Sequence, residues 1–107
     1  MAKEKAKKIW ELLSKISYEL DQIRRGYEDI EVLKEWMRNK NVYITFHSEG
    51  WRGGEFWPNL LTSDFIDISK MAIEVIYKRL EQRNAEALEY VKEIQEMLTE
   101  VEKEANE

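Results

Sequence analysis

The residues with the most chemical character lie in one connector, at about positions 41–61, between two long charged stretches. The connector is rich in aromatic side chains and contains one arginine, one histidine and three glycines. Aromatic rings stack on a planar base, and a guanidinium makes forked, charge-assisted contacts to phosphate oxygens. Glycines let backbone amides approach an anion closely. The predicted ligand-binding residues are Tyr43, Phe46, His47, Trp51, Arg52, Gly53, Gly54, Phe56 and Trp57.

These aromatic residues have three interpretations. They form a pocket for a nucleotide-like molecule, they form a hot spot for a partner protein, or they simply cover one end of a helical bundle. The last is the common structural use of large aromatic side chains, which dominate cores and interfaces. The residues alone leave all three open.

The only histidine, His47, is the natural candidate for acid or base catalysis, with Glu49 or Glu55 as an orienting carboxylate. No nucleophile stands at a spacing that would pair with it, so we expect a contact residue and no enzyme. His47, Glu49, Glu55 and Asp64 also lack the paired histidine or cysteine spacing of a zinc site. We therefore expect no catalytic residue, no metal and no cofactor.

Composition narrows the class of protein. The 107 residues fit a single domain over 1–107. A net charge of -5, from 17 basic and 22 acidic side chains, argues against bulk binding of nucleic acid. The absence of cysteine suits a reducing compartment. No stretch has the apolar length of a signal peptide core or a membrane span, so we expect a cytoplasmic protein without a membrane partner.

The N-terminal stretch predicts a long helix over about 4–38. Isoleucine recurs at every seventh position, and leucine or tyrosine at alternate positions, which is typical of helices that pack on other helices. Gly26 interrupts the series and costs about 1 kcal/mol relative to alanine, so it marks a kink or a close approach. The predicted apolar series is Ala6, Ile9, Leu13, Ile16, Leu20, Ile23, Tyr27, Ile30 and Met37. Leu12, Leu33 and Trp36 widen this stripe, so we expect the helix to contact more than one neighbour.

The C-terminal stretch predicts a second helix over about 63–105. Thr62, Ser63 and Asp64 are candidates for its N-cap. Asn84 occupies a place in the apolar series, where it either fixes register from a buried site or lies at the edge in water. The predicted series is Ile73, Tyr77, Leu80, Asn84, Ala87, Val91, Ile94, Leu98, Val101 and Ala105.

Residues 42–47 alternate in side-chain direction and are rich in β-branched and aromatic types, which predicts a short strand in a β-hairpin or structured loop. The fold expected is therefore mainly α, with two long antiparallel helices joined by this connector. Two helices alone leave wide apolar stripes exposed, so we expect a homo-oligomeric helical bundle, dimeric or higher.

Charged residues on the helices support the antiparallel arrangement. A basic cluster near the N-terminus would then face an acidic tail: Lys3, Lys5, Lys7 and Lys8 opposite Glu100, Glu102, Glu104 and Glu107. Further along, basic residues of the two helices would share one level and either form an anion site or pair with neighbouring carboxylates as solvated ion pairs. They are Arg24, Arg25, Lys78, Arg79 and Arg83, with Glu28, Asp29, Glu81 and Glu86 as the carboxylates.

The two heptad helices, with Tyr43–His47 and Trp51–Trp57 between them, resemble small accessory proteins encoded by phages and mobile elements. Some of these inhibit bacterial antiviral systems by sequestering nucleotide-derived signals. The resemblance implies a non-enzymatic oligomeric binding protein that sequesters such a nucleotide-like ligand. The alternative is an inhibitor or adaptor that presents the hydrophobic connector to a host or defence protein.

Overall fold

The computed structural model describes residues 2–40 and 42–106, and leaves out Met1, Asn41 and Glu107. The elements are α1 (Ala2–Arg38), β1 (Phe46–Ser48), β2 (Gly54–Phe56) and α2 (Thr62–Asn106). The prediction of a mainly helical chain with two helices joined by a hairpin is confirmed. The strand predicted over 42–47 is wrong over 42–45, because β1 begins only at Phe46. In the described ranges neither helix has an apolar stretch long enough to cross a bilayer. Glu107 of the predicted acidic tail and position 41 of the connector lie outside the described residues.

The fold has two compact units: Met1–Tyr27 with Tyr77–Glu107, called here the helix-pair unit, and Glu28–Ile76, called the hairpin unit. The prediction of one domain over 1–107 stays a prediction, because two compact units can belong to one domain.

In the helix-pair unit the helices run antiparallel. Lys5 pairs with Glu104 and, at 3.5 Å, with Glu100. Farther along, the ammonium of Lys15 lies 5.6 Å from the ring centroid of Tyr90. The basic N-terminus therefore meets the acidic C-terminal segment, as the charge pattern predicts for Lys5.

The side chains between the two helices follow a heptad that differs from the predicted one at alternate positions. Buried and half-buried side chains recur in steps of three and four, at Lys5, Ile9, Leu12, Ile16, Glu19, Ile23 and Gly26 on α1 and Leu80, Arg83, Ala87, Tyr90, Ile94, Met97 and Val101 on α2. The isoleucine positions are predicted correctly. The positions between the isoleucines are wrong. The sequence predicts Leu13, Leu20 and Tyr27 between the helices. The structure has Leu12, Glu19 and Gly26 there instead.

Two of these alternate positions explain the difference. A Cβ on Gly26 would lie 2.6 Å from Cδ2 of Leu80, so the missing side chain allows the helices to approach closely. Glu19 is almost completely buried, and its carboxylate accepts a hydrogen bond from Arg83 at 3.2 Å. Hydrophobicity favours Leu20 and Tyr27 for the interface, whereas a glycine contact and an ion pair fill it at these levels.

The hairpin unit has its own buried residues, among them Ile30, Val42, Phe65 and Ile73. Ser69 is also buried, and its hydroxyl donates to the carbonyl of Phe65 at 2.8 Å. This bond satisfies the polar group within α2, so the serine adds no unpaired polar atom to the interior.

Both helix ends that flank the connector have identifiable caps. After Arg38, Lys40 adopts the left-handed conformation with φ 53°, and its amide donates to the carbonyl of Met37. At the start of α2, the carboxylate of Asp64 accepts from the amide of Leu61 at 2.9 Å. Leu61 therefore holds the N-cap position, and Asp64 supplies the returning half of a capping box from the third helical residue.

Candidate functional site

The connector folds into a small antiparallel hairpin, Phe46–Phe56. Its register pairs Phe46 with Phe56, His47 with Glu55 and Ser48 with Gly54. Because side chains alternate along a strand, Phe46 and Phe56 share one face, where their ring centroids are 6.3 Å apart. His47 and Glu55 lie on the other face. His47 and Glu55, one of the two pairs considered for acid–base chemistry, thus form a cross-strand pair at an exposed surface.

The hairpin turn depends on two glycines. Gly50 has φ 112°, a backbone conformation that residues with a side chain rarely adopt. Its carbonyl accepts a hydrogen bond from the amide of Gly53 at 2.9 Å. A Cβ on Gly53 would lie 2.1 Å from the carbonyl oxygen of Ser48, whereas a Cβ on Gly54 would meet nothing within 4 Å. Gly53 is therefore required by a close backbone approach, and its amide already has an acceptor within the turn.

The turn places Trp51 and Arg52 at its centre. Trp51 is 88% exposed, and the guanidinium carbon of Arg52 lies 4.4 Å from the centroid of the Trp51 ring. This is a cation–π pair between neighbours. Phe46, Phe56 and Trp57 are 55 to 65% exposed. The hairpin thus presents its aromatic side chains and its one cation to solvent.

Tyr43 is 70% exposed, like the other aromatic residues of the connector, but it also contacts α2. The ring of Tyr43 meets the ring of Phe65 edge to face, with centroids 6.3 Å apart. Phe65 is buried in the first turns of α2, and Val42, which precedes Tyr43, is buried as well. These contacts attach the start of the connector to α2 within the hairpin unit.

The structure therefore brings together most of the predicted site, because Phe46, His47, Trp51, Arg52, Gly53, Gly54 and Phe56 all belong to the hairpin. Trp57 follows β2 directly, and Tyr43 packs on α2. The arrangement is a projecting surface whose side chains point in several directions, rather than a cavity enclosed by them.

A cleft that the sequence did not reveal lies elsewhere in the hairpin unit. It has a volume of about 410 Å³ and is lined by Lys34, Met37, Arg38, Ile66 and Lys70. Three of the lining side chains are basic and two are apolar, and both α1 and α2 contribute to them. Sequence reasoning missed it because these residues are separated by about thirty positions and follow no motif.

A second feature is an apolar surface of the helix-pair unit, called here the apolar edge. The sequence predicts that apolar stripes stay exposed, but not which residues form this one. Its residues share one heptad position, the one directly after Leu12 and Glu19 on α1 and directly after Arg83 and Tyr90 on α2. The apolar side chains at this position are 38 to 57% exposed. They are Leu13, Leu20, Tyr27, Tyr77, Val91 and Leu98, with the exposed Asn84 among them. A groove of about 380 Å³ between the helices is lined by Tyr27, Tyr77 and Asn84 together, so both helices contribute to the same edge.

The opposite edge of the same helix pair is charged. In an antiparallel pair, equivalent heptad positions of the two helices flank the same side of the interface. The heptad position on this opposite edge lies four residues before Leu12 and Glu19 on α1 and four residues before Arg83 and Tyr90 on α2. Its residues are Lys8, Lys15, Arg79 and Glu86. The two edges therefore differ sharply in polarity.

The basic residues near Gly26 are engaged in ion pairs. Arg24 and Arg25 both contact Asp21, at 2.8 and 3.1 Å. The hydrogen bond from Arg24, with the charge of Arg25, holds the pKa of Asp21 below its ordinary value of 3.8. Arg83 pairs with Glu19. For Arg24, Arg25 and Arg83 the geometry favours ion pairs over an anion site, with Asp21 and Glu19, which are not among the predicted carboxylates, as partners.

Two other pKa shifts on the helix pair have a hydrogen bond as their largest cause. The hydrogen bond to Glu104 raises the pKa of Lys5. The hydroxyl of Tyr90 donates to Glu86 at 2.9 Å, which raises the pKa of Tyr90. Each shift reflects a charge or hydrogen bond that favours the protonated form.

Within residues 2–40 and 42–106, no group of three histidine, cysteine or carboxylate side chains is arranged to hold a metal ion. Comparisons of the chain with protein-family models, with curated proteins and with solved structures give no match.

Proposed function

We propose that this chain is a non-enzymatic binding protein that assembles as a homo-oligomer and recognises a partner protein with its aromatic hairpin. The observation that carries the proposal is the tip of the hairpin, where Trp51 is 88% exposed with Arg52 over its ring. Tryptophan, tyrosine and arginine are the residue types that dominate binding energy at protein interfaces.

The exposed rings of the hairpin would gain much free energy on binding. Burying one large apolar side chain contributes roughly 1.5 to 3 kcal/mol. Trp51, Phe46, Phe56 and Trp57 together offer several such contributions. An exposed aromatic surface of this kind suits a complementary recess on a macromolecule.

The shape of the hairpin supports a protein partner over a small molecule at this site. Small-molecule sites are concave and bury most of the ligand, whereas these side chains project from two three-residue strands. His47 is exposed opposite Glu55, which suits a contact residue better than a base held in a site that excludes water. We propose that the protein works in the cytoplasm, and the resemblance to phage accessory proteins makes a bacterial defence component the partner class to test first.

The test is affinity purification of the tagged protein from cells of its host, with quantitative mass spectrometry, using Trp51→Ala and the matched control Trp36→Ala. Trp36 is also an exposed tryptophan, but it lies on α1. We expect the same protein to co-purify with the wild type and with Trp36→Ala, and its affinity to fall at least about thirtyfold with Trp51→Ala, as for a hot-spot residue of about 2 kcal/mol. Equal recovery with all three chains would reject the hairpin as the recognition site.

A second candidate function, sequestration of a nucleotide-like molecule, is favoured by the basic cleft of Lys34, Arg38 and Lys70 around Met37 and Ile66. Basic side chains suit phosphate, and the apolar side chains among the lining residues suit a base or ribose. A nucleotide panel should then stabilise the protein by about 2.7 kcal/mol at a hundredfold excess over Kd.

Two substitutions separate the sites that such a ligand could use. Loss of the stabilisation in Arg52→Ala would assign the ligand to the hairpin, and loss in Lys70→Ala would assign it to the cleft. A melting temperature that no member of the panel changes would reject this second function.

A further inference from the structure

The apolar edge repeats the same heptad position on both helices of the pair. On α1 it consists of Leu13, Leu20 and Tyr27, and on α2 of Tyr77, Val91 and Leu98. A surface with a seven-residue period is complementary to another helix pair with the same period. A second copy of this chain has that period by necessity.

The exposed side chains of the edge supply apolar surface for such an interface. The six apolar side chains of the edge are 38 to 57% exposed. A stable dimer needs about 800 Å² from each partner, and both helices of the pair contribute to this surface.

We infer that a second copy covers the apolar edge, in a two-fold dimer where α1 of each chain packs on α2 of its partner. The inference rests on the homo-oligomer proposed above and on none of the roles proposed for the hairpin. Two packings are compatible with two-fold symmetry, because α1 can lie over the partner's α2 or over the partner's α1.

Charge selects between these packings. Within the helix-pair unit, Ala2–Tyr27 carries seven basic and four acidic side chains, whereas Tyr77–Asn106 carries five basic and eight acidic ones. Packing α1 over the partner's α2 places a basic helix beside an acidic one. Packing like on like places two basic helices together and two acidic helices together, which costs electrostatic free energy.

The charges that flank the apolar edge lie at matching heights. Gly26 contacts Leu80, so the neighbouring Arg24 and Glu81 share one level of the pair. Arg24 lies beside the apolar edge on α1, and Glu81 lies beside it on α2. Within one chain the apolar edge therefore lies between these two residues. In the inferred dimer, Arg24 of each chain therefore faces Glu81 of the other.

The same symmetry accounts for the polar residue in the edge. A two-fold axis parallel to the helices leaves every residue at its own height, so Asn84 meets the same level of the second chain and faces its own counterpart across the axis. A paired asparagine in an apolar seam fixes register at some cost in stability. The like-on-like packing inverts the heights and loses this match in general.

The cysteine-free sequence makes the packing directly testable by disulfide formation. The variant Arg24→Cys/Glu81→Cys, purified and mildly oxidised, should run almost entirely as a covalent dimer on a non-reducing gel. Arg24→Cys alone and Glu81→Cys alone should stay single chains on the gel, because each cysteine then lacks its partner. Lys3→Cys/Glu102→Cys, which replaces the equivalent pair at the other end, repeats the test if the first variant fails to fold.

The outcomes separate the packing from the assembly. Covalent dimers from both double variants but from neither single variant support the inference. Two results would overturn the packing but not the oligomer. One is a covalent dimer from Arg24→Cys alone. The other is no covalent dimer from either double variant while the mass in solution still shows an oligomer. A single-chain mass for the wild type overturns both.

Discussion

The hairpin and the apolar edge both expose large apolar side chains, but they do so in different patterns. The apolar edge repeats one heptad position along two regular helices, whereas the hairpin displays its rings from two three-residue strands and a turn with no period. A regular surface matches a copy of itself, and an irregular one matches only a surface shaped for it. Exposure alone would assign both surfaces to partners, whereas their periodicity indicates what kind of partner each takes.

The largest effect should come from a charge placed in the apolar edge. Leu20→Glu would bury a carboxylate at the interface between copies, which costs several kcal/mol. We expect the mass measured by sedimentation to fall to that of one chain. Tyr18→Glu is the control, because Tyr18 is also exposed on α1 but lies away from the edge. An unchanged mass for Leu20→Glu would contradict the assignment of the apolar edge to a second copy of the chain.

A smaller loss is expected inside the helix pair, where no copy is involved. Arg83→Ala leaves the buried carboxylate of Glu19 without its cation, which should lower the free energy of unfolding by about 3 kcal/mol in denaturant titrations. The double variant Glu19→Leu/Arg83→Leu should restore or exceed wild-type stability, since apolar side chains replace a buried ion pair. A double variant as unstable as Arg83→Ala would contradict this account of the ion pair.

The hairpin should respond to Gly53→Ala without any change in the helices. The added Cβ would lie 2.1 Å from the carbonyl oxygen of Ser48, and a forced overlap of this kind costs about 2 kcal/mol. Amide exchange over 46–56 should accelerate while helicity by circular dichroism stays constant. Gly54→Ala is the matched control, because its Cβ meets nothing within 4 Å. Equal protection in the two variants would mean that the close approach at Gly53 is absent in solution.

The smallest effect concerns the outer surface of α1. The hydrogen bond from Arg24 lowers the pKa of Asp21, so this pairing stabilises the fold above pH 3.8 and loses its effect as the pH falls through the lowered value. In Arg24→Ala the pKa of Asp21, followed by NMR of its carboxyl carbon, should rise towards 3.8. No change would assign the shift to Arg25.

Much of the fold follows from the amino-acid pattern. The isoleucines at every seventh position indicate both the existence of α1 and the side that faces α2. The glycines of the connector indicate the hairpin, whereas its first strand begins after the β-branched residues Val42, Ile44 and Thr45. Position 26 was singled out because glycine weakens a helix interior, and the structure shows the reason to be the contact with Leu80.

The choice between adjacent heptad positions could not be made from the sequence. Leu12 and Leu13 are equally apolar, and at the next two levels the interface holds Glu19 and Gly26 while Leu20 and Tyr27 stay exposed. Hydrophobicity ranks these pairs in the wrong order, because it takes no account of an ion pair with Arg83 or of the close approach that a missing side chain permits.

The candidate site was predicted as a set of residues but not as a shape. Aromatic residues and glycines mark the connector as unusual, whereas the strand register decides that Phe46 and Phe56 share a face and that His47 opposes Glu55. The cleft of Lys34, Arg38 and Lys70 depends on the pairing of two distant helix segments. Neither follows from composition or spacing.

The most direct test of the account is the mass of the purified wild-type chain in solution at about micromolar concentration, where a stable interface of standard size stays formed. Sedimentation equilibrium should give a whole multiple of 12.9 kDa, with two chains the smallest assembly that covers the apolar edge. A folded species of 12.9 kDa across the concentration range would contradict it.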